Sequence, residues 1–284
     1  MTTLQTVPTS FVSVNGLKIA YRRFGSSSPV PLVYVNHLRG SMDTLDPLLF
    51  NSIARSREVI VYDSAGIGHS EGTVPDSIAE MAAVVVDLLA ALEIPKADFI
   101  GFSMGGGIVQ YLGYEHPLLV NKLILAGTQS GIGEGVALPP REVLESAGAN
   151  TDQPPTEDDM MNLFFYPSTT SLSLGHAWWK RIHERNIQGE PRKAYLTGPG
   201  VQSQLTAIFK YSTDTRNFDR LADIKAPVLV TNGHTDVMSP TANSFVLQQE
   251  IPNAHLLLYP DAGHGHLFQV PELYAKHLEL FLNN

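Results

Sequence analysis

The sequence predicts an α/β protein with a mostly parallel central sheet flanked by helices and one inserted helical stretch. Three observations carry this. Short apolar runs alternate with segments of helical periodicity, the pattern of βαβ units. The runs are apolar on consecutive residues, as in strands covered on both faces. The alternation stops once, between about residues 131 and 219, where proline pairs and helix-like patterns replace it.

Residues 11–24 read as two strands turned at Asn15-Gly16, the strongest short hairpin signal. Further strands are predicted at 31–35 (PLVYV), 58–62 (EVIVY), 98–102 (DFIGF), 122–126 (KLILA), 228–231 (VLVT) and 255–259 (HLLLY). Helices are predicted at 47–56, 78–92, 106–115, 240–250 and 271–282. In the second of these Met81, Val84, Val85, Leu88, Leu89 and Leu92 recur at three- and four-residue spacing. The interrupting stretch carries Gly131-Ile132-Gly133, Pro139-Pro140 and Pro154-Pro155, with helical pieces at 157–165, 174–185 and 201–211. The expectation is one core in two segments, 1–131 and 220–284, with a helical cap at 132–219 over the carboxyl ends of the strands, where open α/β sheets bind ligands.

Composition narrows the function. The 284 residues carry 19 Lys+Arg against 28 Asp+Glu, a net charge of −9, which offers nothing to a phosphate backbone or an anionic membrane. With 43% hydrophobic and 17% charged residues the chain is globular rather than disordered. The absence of cysteine excludes a disulfide framework, thiolate metal sites and a cysteine nucleophile. No basic and apolar leader opens the chain and no segment reaches the roughly 18 apolar residues of a membrane span, so an intracellular, cytoplasmic protein with a small-molecule substrate is expected. Neither a nucleic-acid nor a membrane partner is expected, and the sequence leaves monomer or homodimer open.

The chemistry centres on Gly101-Phe102-Ser103-Met104-Gly105, at the end of an apolar strand and before a helix. A serine on such a sharp turn is pushed out of the backbone, and small residues two positions either side let neighbouring chains pass. Its hydroxyl needs a base, and the base an orienting acid. Asp236 in Asn232-Gly233-His234-Thr235-Asp236 and His264 in Asp261-Ala262-Gly263-His264-Gly265-His266 follow two late strands, at the same sheet edge as Ser103. His264 is preferred over His266, which lies beside Leu267-Phe268 at the start of the last helix. The His-x-His spacing also invites a metal, but no following Asp-His pair completes a cluster, so no metal and no cofactor are expected. Gly66-x-Gly68 is not read as a nucleotide loop, because Gly72, Pro75 and Asp76 delay the helix that would receive a pyrophosphate.

With these motifs and Asp63-Ser64-Ala65-Gly66-Ile67-Gly68-His69-Ser70, the chain resembles the α/β-hydrolase fold family over nearly its whole length. The resemblance implies Ser103 as nucleophile, His264 as general base and then acid, and Asp236 as orienter of the imidazolium. Serine at the elbow argues against the epoxide hydrolase and haloalkane dehalogenase branches, which use aspartate there. An oxyanion hole is implied at the backbone N–H groups of Met104 and of Leu38, the latter in a loop that reads Asn36-His37-Leu38-Arg39-Gly40 where many relatives have His-Gly-X. His37 and Arg39 either reach a substrate carbonyl or carboxylate or brace the loop.

Met160, Met161, Phe164, Phe165, Tyr166, Trp178 and Trp179 make the insertion aromatic and Met-rich. A subset, with Phe164, Phe165, Trp178 and Trp179 as candidates, is expected to line an apolar substrate pocket. The expected activity is hydrolysis of a small to medium hydrophobic carboxylic ester or lactone through a Ser103 acyl-enzyme, falling off in acid because only a neutral imidazole acts as base. The family resemblance leaves two other chemistries open, hydrolysis of carbon–carbon bonds and cofactor-free non-hydrolytic reactions, and a non-catalytic ligand receptor on the same fold.

Overall fold

The computed structural model describes residues 2–284. The chain runs β1 (Ser10–Val14), β2 (Leu17–Gly25), β3 (Leu32–Val35), α1 (Pro47–Ala54), β4 (Glu58–Tyr62), α2 (Ile78–Ala91), β5 (Ala97–Phe102), α3 (Met104–Glu115) and β6 (Val120–Ala126). Five helices follow before the sheet resumes: α4 (Arg141–Gly148), α5 (Glu157–Phe164), α6 (Thr169–Arg181), α7 (Pro199–Thr213) and α8 (Thr215–Asp219). The last part is β7 (Val228–Gly233), α9 (Ala242–Glu250), β8 (Ala254–Tyr259), α10 (His266–Gln269) and α11 (Pro271–Asn283).

The strands form one eight-stranded sheet in the order β1-β2-β4-β3-β5-β6-β7-β8. β1 and β2 are antiparallel and β2 joins β4 antiparallel; every later pair is parallel. The β1–β2 turn has Asn15 at φ 50 and Gly16 at φ 83, two positive values that an Asn-Gly pair tolerates and that match the strand twist. Continuous apolar runs are needed because both faces are covered. Leu32, Tyr34, Val59, Val61, Ile100 and Phe102 face a core with α1 and α11, while Val33, Val35, Ile60, Tyr62 and Phe99 face one with α2 and α3.

Sequence periodicity placed the core elements well and the inserted helices less well. α3 starts at Met104 rather than at 106, because a single residue makes the turn out of β5. α6 begins at Thr169, earlier than its apolar pattern, with Ser168 accepting from Ser171 N at the cap. α4 was not anticipated; it is only eight residues long and none of them is buried, so no core-facing pattern of useful length marks it.

The inserted helices use both cores. Met160, Phe164, Phe165, Trp178 and Ile182 join the α1 and α11 side, while Ala207 and Tyr211 of α7 join the other. Charged contacts complete the docking. Arg22, fully buried on β2, donates to Asp43 Oδ1 at 2.6 Å and to the Met42 carbonyl at 3.1 Å. Asp43 Oδ2 also meets His69 Nε2 at 2.8 Å and accepts from the Lys193 backbone N–H at 2.8 Å, tying the insertion to the core. Nearby, Arg181 of α6 grips Asp46 through Nε at 2.9 Å and Nη2 at 2.7 Å.

A buried ion pair contributes little relative to an apolar replacement, but losing one partner strands the other charge. Asp43→Ala is expected to cost about 3–5 kcal/mol in urea unfolding. Arg23→Ala, which breaks the exposed pair with Glu58, is expected to cost less than about 1 kcal/mol. Equal costs for the two would show that Asp43 does not organise this junction.

Candidate active site

Ser103 alone links β5 to α3, at φ 55 and ψ −119, a backbone region rarely occupied by residues with a side chain. Neighbours hold it there. Its N–H donates to the Ala126 carbonyl at 2.9 Å, and its own carbonyl accepts from Thr128 Oγ1 and from Gly106 N, each at 2.8 Å. The flanking glycines are required by contact: a Cβ on Gly101 would lie 2.3 Å from the Gly105 carbonyl oxygen, and one on Gly105 2.2 Å from that of Val35. The helix start therefore presses on the end of β3, and the 36–40 loop runs beside Ser103.

Asp236 lies just past β7 and His264 in the loop after β8, both buried. Asp236 Oδ1 accepts from the backbone N–H groups of Met238 at 2.7 Å and Ser239 at 2.8 Å, and Oδ2 from His264 Nδ1 at 2.7 Å. That bond fixes the tautomer, so Nε2 presents its lone pair. Nε2 is buried and has no hydrogen-bond partner among the described residues. His264 and Ser103 line one cavity of about 230 Å3, with no direct hydrogen bond between Nε2 and the hydroxyl.

Two other buried histidines differ in kind. His266 bonds Thr231 Oγ1 and the His264 carbonyl, each at 3.0 Å, and burial lowers its pKa to about 3. It braces the loop that carries His264. His37 packs against Phe102 and Phe164 with ring centroids at 5.2 and 5.4 Å. Burial, aided by neighbouring His264, lowers its pKa to about 3, and neither ring nitrogen has a partner among the described residues. His37 is thus a neutral imidazole in the cavity wall.

Leu38 and Arg39 also line the cavity, and the backbone N–H groups of Leu38 and Met104 donate to no protein acceptor among the described residues. Of the four aromatic residues expected in the pocket, Phe164 alone lines it. Phe165 and Trp178 are instead buried in the packing, their rings 5.5 Å apart, and half-buried Trp179 stacks on Tyr195 at 6.4 Å. The reason is α6 itself, which docks through Trp178 against Phe268 and leaves the tryptophans behind the lining residues Phe164 and Tyr195. Sequence reading missed Tyr195, Leu163, Met238 and the 146–155 segment, which complete the wall with Met160. Only the Pro154-Pro155 pair signalled a turn there; Tyr195 sits in a coil with no periodicity to read.

The Gly-rich turn after β4 serves structure. Asp63 accepts from Met42 N at 2.7 Å and His69 N at 2.9 Å, and a Cβ on Gly68 would lie 2.2 Å from its carboxylate. Burial raises the Asp63 pKa to about 6. Among the described residues, no group of three or more His, Asp or Glu side chains is arranged to hold a metal ion, and no helix is long and apolar enough to cross a membrane.

Comparison with known proteins places the chain. An alpha/beta hydrolase fold protein from Chitinophaga pinensis superposes with a TM-score of 0.87 at 35% identity, covering 99% of each chain. The 2-hydroxymuconate semialdehyde hydrolase of Pseudomonas putida is 29% identical over 238 residues, 81% of this chain and 78% of that one. Est816, described as an N-acyl homoserine lactone degrading enzyme, superposes with a TM-score of 0.68 at 25% identity, covering 96% of this chain and 100% of its own. The alpha/beta hydrolase family model matches residues 31–270, and with the elbow serine and the loops after β7 and β8 inside that span, the chain belongs to the α/β hydrolase fold family.

Proposed function

We propose that the protein is a serine hydrolase of small, fairly hydrophobic carboxylic esters or lactones. The observation that carries this reading is the buried Asp236–His264 pair, whose unpartnered Nε2 borders the same cavity as Ser103. Substrate binding brings the hydroxyl and Nε2 within the roughly 2.6–3.2 Å that proton transfer requires. His264 takes the Ser103 proton, Oγ bonds to the substrate carbonyl carbon, and the Leu38 and Met104 amides hold the oxyanion. The imidazolium returns its proton to the departing alkoxide. Water, deprotonated by the same histidine, attacks the acyl-enzyme, and the proton returns to Ser103 as the acid leaves. Asp236 stabilises the imidazolium in both halves. Residues 132–219 act as the cap, and a cavity of about 230 Å3 is below the ~300–1,000 Å3 of pockets for drug-sized ligands, which favours small substrates.

Est816 lends the lactone reading support. A second reading, carbon–carbon bond hydrolysis by the same residues, is favoured by the 29% identity to the 2-hydroxymuconate semialdehyde hydrolase. A panel of esters and lactones beside β-diketones and ring-fission-type diketones separates the two. Ester hydrolysis is expected to give the higher kcat/KM, and a tenfold preference for diketones would move the assignment to carbon–carbon cleavage.

Ser103→Ala is expected to lower kcat by roughly 10^5–10^6 and to abolish labelling by a serine-directed phosphonate. Labelling of that variant at full stoichiometry would refute the nucleophile. Asp236→Asn is expected to lower kcat by roughly 10^4 while leaving slow labelling, because the imidazole loses its tautomer. His37 and His266, both lowered to about 3, stay neutral through the working range. The acid limb of kcat/KM is therefore expected to keep its midpoint within about 0.3 pH in His37→Gln, since a titrating group there would shift it by more.

A further inference from the structure

The catalytic cavity holds a cation that the proposed hydrolysis leaves unused. Among the described residues four arginines are buried: Arg22, Arg39, Arg57 and Arg185. Three meet an acid: Arg22 pairs with Asp43 at 2.6 Å, Arg57 with Asp98 at 2.9 Å and Arg185 with Glu190 at 2.7 Å. Arg39, only 8% exposed, has no carboxylate within 4.0 Å among the described residues. It is the member of the set that lines the cavity with Ser103 and His264.

Arg39 is also held in place at some cost. Its backbone sits at φ 68, a left-handed conformation that a side chain disfavours. Its N–H donates to Gln204 Oε1 at 2.8 Å and its carbonyl accepts from Leu196 N at 2.9 Å, so α7 and the coil before it fix the residue. Two carbonyls orient the guanidinium: Nε donates to that of Leu196 at 2.9 Å and Nη2 to that of Gln153. Nη1 donates to no protein acceptor among the described residues, which leaves part of a planar fork free for a ligand. Next to Leu196, the Tyr195 hydroxyl is buried in the same cavity wall without a partner, and burial pushes its pKa up, so it stays a neutral donor. Asp159 lines the cavity too and its charge acts on Arg39 from a distance, but it is exposed, makes no ion pair with Arg39, and its Oδ2 accepts from Thr156 N at 2.8 Å and Thr156 Oγ1 at 2.7 Å in the helix cap.

We propose that Arg39, assisted by Tyr195, binds a carboxylate of the substrate, so that the protein's substrates are small carboxylated esters or lactones rather than neutral ones. A bound carboxylate supplies the counter-charge that the other buried arginines receive from the protein, and the guanidinium fork matches its two oxygens. The backbone anchoring of Arg39 to the insertion makes the geometry independent of substrate, as a selective site requires. This proposal refines the Ser103 reading and rests on it for turnover, though not for binding.

The test compares nitrophenyl half-esters of succinic, glutaric and adipic acids with nitrophenyl butyrate and valerate, in the wild type, Arg39→Met and Arg39→Gln. The expected result is a wild-type preference in kcat/KM for one half-ester over the neutral ester of matched length, and a fall of that ratio by roughly 10²-fold in both variants. Gln keeps a donor for the Leu196 carbonyl, and the neutral esters report whether the cavity survives. In parallel, calorimetry measures glutarate and adipate binding to Ser103→Ala with and without Arg39→Gln, an assay that needs no turnover. Binding of a dicarboxylate that disappears with Arg39 supports the site even if no ester is hydrolysed, in which case the hydrolysis reading fails alone. Equal kcat/KM for half-esters and neutral esters, a preference that survives loss of Arg39, or no dicarboxylate binding that depends on Arg39 would overturn the proposal.

Discussion

The close approach of the α3 N-terminus to the end of β3 is the constraint on which the rest of the site depends. Gly101 and Gly105 have no room for a Cβ, and Ser103 takes up the resulting strain at φ 55. The strain persists because the Ala126 and Thr128 contacts on β6 and just past it over-determine the turn. The same approach sets the 36–40 loop beside the serine, so Ser103, Leu38 and Arg39 line one cavity at the sheet edge. A parallel sheet adds the loops after β7 and β8 from the same side, because every parallel strand ends there.

Burial then separates groups of the same chemical type. Three histidines sit in this corner, and only His264 is given a carboxylate. His266 spends both nitrogens on Thr231 and a backbone carbonyl, and His37 packs against Phe102 and Phe164 with neither nitrogen partnered among the described residues. Low polarity holds the latter two neutral, while His264 meets the Asp236 carboxylate at 2.7 Å. The arginines are sorted in the same way. Arg22 and Arg181 meet acids, and the Arg181 pair fastens the insertion to the core, whereas Arg39 makes no ion pair and donates to two carbonyls in the cavity wall.

The insertion is held by two unlike attachments. Stacking of Phe164 and Trp178 on Phe268, with Phe165 packed on Trp178, gives it an apolar seat, and the Asp43 and Asp46 contacts give it orientation. Most of its large aromatic residues are therefore committed to holding it down. What reaches the cavity is a mixed set from the end of α4, from α5 and from coil: Met160, Leu163, Phe164, Tyr195 and the 146–155 segment.

How much of this was legible in the chain follows from the range of the interactions. The hairpin at Asn15-Gly16, the apolar strands and the Gly101–Gly105 turn are set by local sterics and by burial on both faces, which leave their mark on consecutive residues. Glycine-flanked Ser103, Asp236 and His264 could be named as a set because each follows a strand whose direction the sheet fixes. The α4 helix, the early start of α6 and the fate of the two tryptophans could not, because they depend on which face of an inserted helix meets the core. By itself the sequence determined the fold class and the residues gathered at the sheet edge. Tertiary structure alone decided which aromatic residues reach the cavity and which buried arginine is left without an ion pair, since each depends on neighbours brought together from distant parts of the chain, a matter of packing that local pattern does not encode.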